Sequence, residues 1–163
     1  MFLNPEKLIG NLGIHPGMII ADIGSGIGYF ALPAARYTGA SGHVYAIDIH
    51  DAIIKRLHND AREQNIENIT GIVGDAEVFG GTTLRDETVD MVLVINTLFQ
   101  SGNHHNLLSE SLRILKPAGM LVVVEWVDSF AGLGPIAEHV ISREQIMNWC
   151  ESLSLTHVRD TGD

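Results

Sequence analysis

Residues 18–29, Met18-Ile19-Ile20-Ala21-Asp22-Ile23-Gly24-Ser25-Gly26-Ile27-Gly28-Tyr29, decide the fold. Met18 to Ile23 is an almost unbroken apolar run, the pattern of a strand covered on both faces. Three glycines at alternate positions follow; they permit a tight turn and let a ligand approach bare backbone. From about Tyr29 to Tyr37 the pattern is helical. Strand, glycine turn and helix in that order open a parallel α/β unit, in which ligands bind outside the carboxyl ends of the strands.

The alternation continues outward from there. A second strand is expected at His43 to Asp48, then a helix through Ile53, Ile54 and Leu57 to about Gln64. A third strand is expected at Ile69 to Val73 and a fourth at Val89 to Ile95. A helix from about Asn103 to Leu115 carries Leu107, Leu108, Leu112 and Leu115 on one side. Pro117-Ala118-Gly119 then turns the chain into a fifth strand, Met120 to Glu125. Ser142 opens a last helix, with Gln145 completing a capping box, and Leu155 to Arg159 reads as a sixth strand. Ahead of it all, Asn4-Pro5 opens an N-terminal helix that Gly13 closes. Strand–helix alternation with right-handed crossovers gives a doubly wound, Rossmann-like three-layer α/β sandwich with a mostly parallel sheet.

Composition narrows the function classes. The 163 residues suit one domain, long enough to bury a core without disulfides. Ten Lys and Arg face twenty Asp and Glu, a formal charge of −10, which disfavours phosphate backbones and anionic membrane surfaces as partners. The lone Cys150 excludes a disulfide framework and the multi-cysteine zinc patterns, so no metal site is expected. No apolar run approaches the ~18 residues of a bilayer span. The N-terminus lacks a basic region followed by an apolar run, so a cytoplasmic location is expected.

The glycine spacing separates ligand classes. A G-x-G-x-x-G dinucleotide fingerprint begun at Gly24 needs glycine where the chain has Tyr29; begun at Gly26 it ends on Ala31 and breaks the strand-to-turn geometry. No Gly-Lys-Ser/Thr follows, so the phosphate-binding loop of nucleotide hydrolases is absent. The pattern D-x-G-x-G-x-G, Asp22 to Gly28, resembles motif I of the class I S-adenosylmethionine-dependent methyltransferases. The resemblance implies that Asp22, Gly24, Ser25, Gly26 and Gly28 hold the methionine part of S-adenosylmethionine, with Asp22 supporting its ammonium. Asp48, ending the second strand, is placed to accept both ribose hydroxyls and to repel a 2′-phosphate. By resemblance Ile49 packs on the adenine, Asp75 accepts its amino group, the backbone N–H of Ala76 meets the ring, and Asn96 lies nearest the sulfonium. Arg113-Ile-Leu-Lys-Pro-Ala-Gly119 resembles the family's R-x-L-K-P-G-G element, with Ala118 in place of a glycine.

Methyl transfer is an in-line displacement on an already activated electrophile, so proximity and exclusion of water matter more than a catalytic dyad. The candidates for a base are His104 and His105, at the start of the helix after the fourth strand; capping or solvating that helix is their other role. Phe99 and Phe130 are candidate acceptor-lining aromatics. Asn96-Thr97-Leu98-Phe99 departs from the Pro-Pro-aromatic motif of DNA amino-methyltransferases, and a single cysteine does not supply the thiols of arsenic methylation. A small-molecule acceptor is therefore expected. Two other readings share these residues: a cofactor-binding domain without catalysis, and an NAD-binding Rossmann domain.

The family's sheet has seven strands in the order 3-2-1-4-5-7-6, and only six are legible here. Three arrangements are open: a chain truncated at the C-terminus, a sixth strand pairing with the fifth, or a homodimer through the exposed sheet edge.

Overall fold

Five strands form where apolar and β-branched residues are densest, and they pair into one wholly parallel sheet. The computed structural model describes residues 3–130 and 134–161. In chain order the strands are β1 (Ile19–Ile23), β2 (His43–Asp48), β3 (Ile69–Val73), β4 (Val89–Ile95) and β5 (Leu115–Val124), arranged β3-β2-β1-β4-β5. The helices are α1 (Pro5–Asn11), α2 (Ala31–Thr38), α3 (Asp51–Glu63), α4 (His104–Ile114) and α5 (Arg143–Ser152).

Side-chain alternation along the central strands sorts the core into two halves. Ile20, Met91 and Leu93 face α1, α2 and α3, meeting Ile9, Ala35 and Leu57. Ala21, Ile23, Val92 and Val94 face the other way, onto Leu107, Leu108 and Ile114 of α4 and Trp149 of α5. Strand order reverses direction between β1 and β4, so the carboxyl ends of these two strands flank the crevice that such sheets use for ligands. Helix ends follow the expected chemistry. The Asn4 side chain accepts the Lys7 N–H at 3.0 Å, and Ser142 and Gln145 make a reciprocal capping box.

Two expectations are corrected. The fifth strand begins at Leu115, and the turn expected at Pro117–Gly119 is a bulge within it. Val89 lies opposite Leu115 and Met91 opposite Met120, so residues between them bulge out of the ladder. Asp90 holds that distorted edge, accepting the Ile19 N–H at 2.7 Å and the Lys116 ammonium at 2.8 Å.

The second correction concerns the sheet's size. The sixth strand expected at Leu155 to Arg159 does not form; the described residues hold five strands, and β5 pairs with β4 alone. Leu155 N–H closes back onto the Cys150 carbonyl, and Ser154 takes a left-handed φ of 62°. Asp160 then binds Arg143 at 3.0 Å and His157 at 3.1 Å, while Arg159 donates to the Asn11 carbonyl at 2.9 Å. These contacts draw the segment back along α5 and toward α1. An alternating pattern without a neighbouring strand is not enough to make a strand.

Ala118 sits in the β5 bulge at φ 62°, a conformation in which a Cβ is strained. Ala118→Gly is expected to stabilise the fold by about 0.5–1 kcal/mol, raising Tm by roughly 2 °C. Thermal unfolding of the pair checks this; a lower Tm for the glycine variant would mean the bulge is not strained.

Candidate functional site

The glycine turn and the ends of β2, β3 and β4 converge at the carboxyl edge of the sheet, held by backbone and side-chain hydrogen bonds, while the Arg113–Gly119 element lies at the opposite edge. The glycine turn after β1 leans on β2: Ser25 N–H donates to the Ile47 carbonyl at 2.9 Å, and Gly26 N–H donates to Asp48 Oδ2 at 3.1 Å. β3 joins them where Gly74 N–H meets the Asp48 carbonyl at 3.0 Å. On the other side, Thr97 Oγ1 lies 3.0 Å from the Ile23 carbonyl and 3.1 Å from that of Ile95, linking the ends of β1 and β4.

Gly24 and Gly26 differ in what they permit. At φ 70°, a Cβ on Gly24 would lie 2.6 Å from both Cγ2 and Oγ1 of Thr97, so the turn seats directly on that side chain. Gly26, at φ 54°, has nothing within 4 Å of where a Cβ would be, so its backbone borders open space. A ligand can approach there without meeting a side chain.

The carboxylates have unequal surroundings. Asp22 is 2% exposed, and its Oδ2 is buried with no hydrogen-bond partner. Burial pushes its carboxyl up to about 7; the Ala31 N–H opposes this and the nearby Asp48 charge adds to it. Asp48 is oriented by three donors: Gly26 N–H on Oδ2, and at Oδ1 the His50 N–H at 3.0 Å and the His50 ring at 3.1 Å. A carboxylate has about four acceptor sites, which leaves room for ligand hydroxyls. Beside it Ile49 is 61% exposed, an apolar side chain left without cover at the strand end. Asp75 uses Oδ1 to accept the Glu77 N–H at 2.8 Å, and Ala76 is buried behind it. Asn96 takes φ 54° just past β4, with its N–H on the Val124 carbonyl at 2.8 Å.

Three positions that hold the site's loops together escaped the sequence reading. Glu110, buried on the inner face of α4, accepts Gly80 N–H at 2.9 Å, Thr82 N–H at 3.2 Å and Thr82 Oγ1 at 2.6 Å. Arg113 completes the cluster with 2.7 Å bonds from Nε and from a terminal nitrogen. Burial opposes ionisation of Glu110, but the bonds from Arg113, Thr82 and Gly80 outweigh it and bring its carboxyl down to about 2. The cluster fixes the loop that carries Asp75 and Ala76. Its signal was an acid three residues before an arginine on an otherwise apolar helix face. Thr97, the seat of Gly24, gave no signal beyond its neighbour Asn96.

The third is Glu125, just past β5. Its Oε1 accepts the Leu98 N–H at 2.6 Å, and its Oε2 is buried without a partner. Burial raises its carboxyl above the usual range, against N–H donors of residues 97–99 and Trp126.

The histidines stand apart from this constellation. His104 Nε2 lies 3.0 Å from the Leu98 carbonyl, and its ring stacks on Trp149 at 4.4 Å, 13° from parallel. His105 is exposed, 3.5 Å from Ser109 Oγ. Among the described residues, no group of three or more His, Cys, Asp or Glu is placed to hold a metal, and no helix is long and apolar enough to cross a membrane.

The state of Asp22 sets a pH signature. Its carboxyl titrates near 7 when folded and near 3.8 when unfolded, so the folded chain retains a proton that the unfolded chain has lost. Its contribution to stability is full below about 4 and is lost as pH rises through about 7. Urea midpoints should therefore show Asp22→Asn gaining on the wild type as pH rises from about 5 to about 8. A difference constant over that interval would mean Asp22 is ionised throughout.

Comparison with known proteins agrees with this geometry. The profile of a methyltransferase domain family matches residues 14–160. A sterol 24-C-methyltransferase of Gibberella zeae is 31% identical over 121 residues, 74% of this chain and 30% of that protein. A ubiquinone/menaquinone biosynthesis C-methyltransferase of Hydrogenovibrio crunogenus is 32% identical over 118 residues, 70% of this chain and 44% of that protein. The chain thus spans under half the length of either curated relative. Among solved structures, a SAM-dependent methyltransferase from Aquifex aeolicus superposes with a TM-score of 0.82 at 25% identity, covering 91% of this chain and 78% of that one. With nearly its whole length matched and its glycine turn, strand-end acid and sheet order in place, the chain belongs to the methyltransferase domain family.

Proposed function

We propose that residues 1–163 act as one S-adenosylmethionine-dependent methyltransferase domain whose acceptor is a small molecule. The observation that carries this reading is the pairing of an open glycine turn with Asp48, joined by the Gly26 N–H. The residues present fit the cofactor. Gly26 leaves its backbone clear, Asp48 retains acceptor sites for a ribose, and Ile49 offers an uncovered apolar surface to an adenine. Asp22 keeps one carboxylate oxygen without a partner, a site for a cationic group or a water beside one.

Bound there, S-adenosylmethionine supplies a methyl group already activated by the sulfonium charge. The chain's own residues bind, orient and shield. Asp48 would hold the ribose, the Gly24–Gly28 turn the methionine end, and Asp75 with the backbone of Ala76 the adenine end. Asn96 and the turn after it form the wall toward the acceptor. His104 is committed to Trp149 and the Leu98 carbonyl, so its role in this reading is to fix the start of α4. Positioning dominates the chemistry, and an obligatory base is not required.

Titration calorimetry with S-adenosylhomocysteine tests the site. Asp48→Ala is expected to weaken binding by about 1–3 kcal/mol through lost charged hydrogen bonds. Gly26→Val puts a β-branched side chain at φ 54° in the open space and is expected to remove binding. Unchanged affinity in both variants, or binding of NAD in its place, would overturn the reading. Tight binding without turnover across an acceptor panel would assign the domain to cofactor binding alone.

A further inference from the structure

The loop that leaves β3 is gripped by the buried ion pair of α4. Glu110 is 1% exposed and accepts five hydrogen bonds: the Gly80 N–H, the N–H and hydroxyl of Thr82, and two from the Arg113 guanidinium. These fill the acceptor sites of a carboxylate, so Glu110 has none to offer a ligand. Arg113 turns to the same loop. It donates to the Leu84 carbonyl at 2.9 Å and to Asp86 at 2.6 Å, and its guanidinium carbon lies 5.5 Å from the centre of the Phe79 ring. Apart from each other, the side-chain partners of the pair all lie in residues 79–86.

Gly81, between the two residues that Glu110 holds, is where this anchor meets the crevice. A Cβ on Gly81 would overlap the Asp75 carbonyl, and a Cβ on Gly74 would overlap the carbonyl of Gly81. The three backbones are in contact. Val78 N–H closes on the Asp75 carbonyl at 3.2 Å and Gly81 N–H on the Val78 carbonyl at 2.8 Å, two linked turns that bring Gly81 back to Asp75. Gly74 N–H reaches the Asp48 carbonyl at 3.0 Å. The place of Gly81 therefore sets how Asp75 stands beside Asp48. Asp75 accepts the Glu77 N–H with Oδ1, and a carboxylate has acceptor sites left for a donor on a ligand.

We propose that Glu110 is a positioning residue for base recognition: through Gly80–Thr82 it places Asp75, and so sets the preference for a cofactor base carrying an amino group over one carrying an oxygen there. The inference rests on the methyltransferase reading above and adds a residue that touches no part of the cofactor. Adenine presents an N–H donor where hypoxanthine presents an oxygen; a carboxylate fixed at that point bonds the first and repels the second. Such discrimination needs the carboxylate held to within about 0.5 Å. Asp75 is exposed, on a loop outside the sheet, and Glu110 holds that loop from the core.

Titration calorimetry with S-adenosylhomocysteine and with S-inosylhomocysteine, its hypoxanthine counterpart, reads the preference as a ratio of affinities. The wild type is expected to favour S-adenosylhomocysteine by about tenfold or more. Glu110→Gln keeps the side chain's shape and is expected to bring the ratio close to one, chiefly by weakening S-adenosylhomocysteine. Thr82→Val, which leaves the ion pair intact and removes only the hydroxyl bond, is expected to lower the ratio about threefold and carries the test where the glutamine variant does not fold. In an Asp75→Asn background neither substitution should move the ratio further, a coupling that general loosening of the fold does not produce. A wild type without preference, equal weakening of both ligands by the variants, or an undiminished effect in the Asp75→Asn background would overturn the proposal. Failure to bind S-adenosylhomocysteine would instead strike the methyltransferase reading, and this inference with it.

Discussion

The site depends on one close contact, the seat of Gly24 on Thr97. A Cβ at position 24 would lie 2.6 Å from the threonine side chain, so the chain can leave β1 along this path only as glycine. From that seat the other relations follow. The Thr97 hydroxyl lies between the last carbonyls of β1 and β4, the turn swings over to β2, and Gly26 reaches Asp48. The ends of the two strands flanking the topological switch are locked at the place where a ligand must enter. Flexibility there would separate the groups that a methyl donor and its acceptor must meet together.

Around this lock the molecule divides its charge between two tasks. Glu110 and Arg113 are a buried structural pair, with several hydrogen bonds offsetting the desolvation of both ions. They fix the loop after β3 and so the border of the crevice. Asp22 and Glu125 are the opposite case: each is buried, each has an oxygen without a partner, and each carboxyl is raised above its ordinary range. Acids held uncomfortably at a crevice mark where a complementary group belongs.

Much of this was legible in the sequence because local rules and tertiary packing agreed. β2, β3 and β4 form at the expected residues, since each is a short apolar run whose faces both meet helices. The place of Asp48, ending β2 beside the glycine turn, was readable because a strand end and a glycine turn are both marked in the sequence. The illegible parts are those where distant groups decide. Leu155 to Arg159 has the composition of a strand, but Asp160 ties it to Arg143 and His157, and no strand lies beside it. Leu115 joins β5 early because Val89 is there to pair with it, although Pro117 signals a turn. Glu110, Thr97 and Glu125 each also bond a partner 25 or more residues away, and one-dimensional spacing does not reveal those partners.

The central claim, that S-adenosylmethionine lies across the β1/β4 switch with its ribose on Asp48, can be tested directly by amide hydrogen exchange with and without S-adenosylhomocysteine. Added protection is expected only at the turn at Gly24–Gly28, the end of β2 at Asp48 to His50, and the loop at Asp75 to Glu77. Protection at the opposite edge, around Asp90 and Lys116, or no change at Gly26 and Asp48 under saturating ligand, would contradict it.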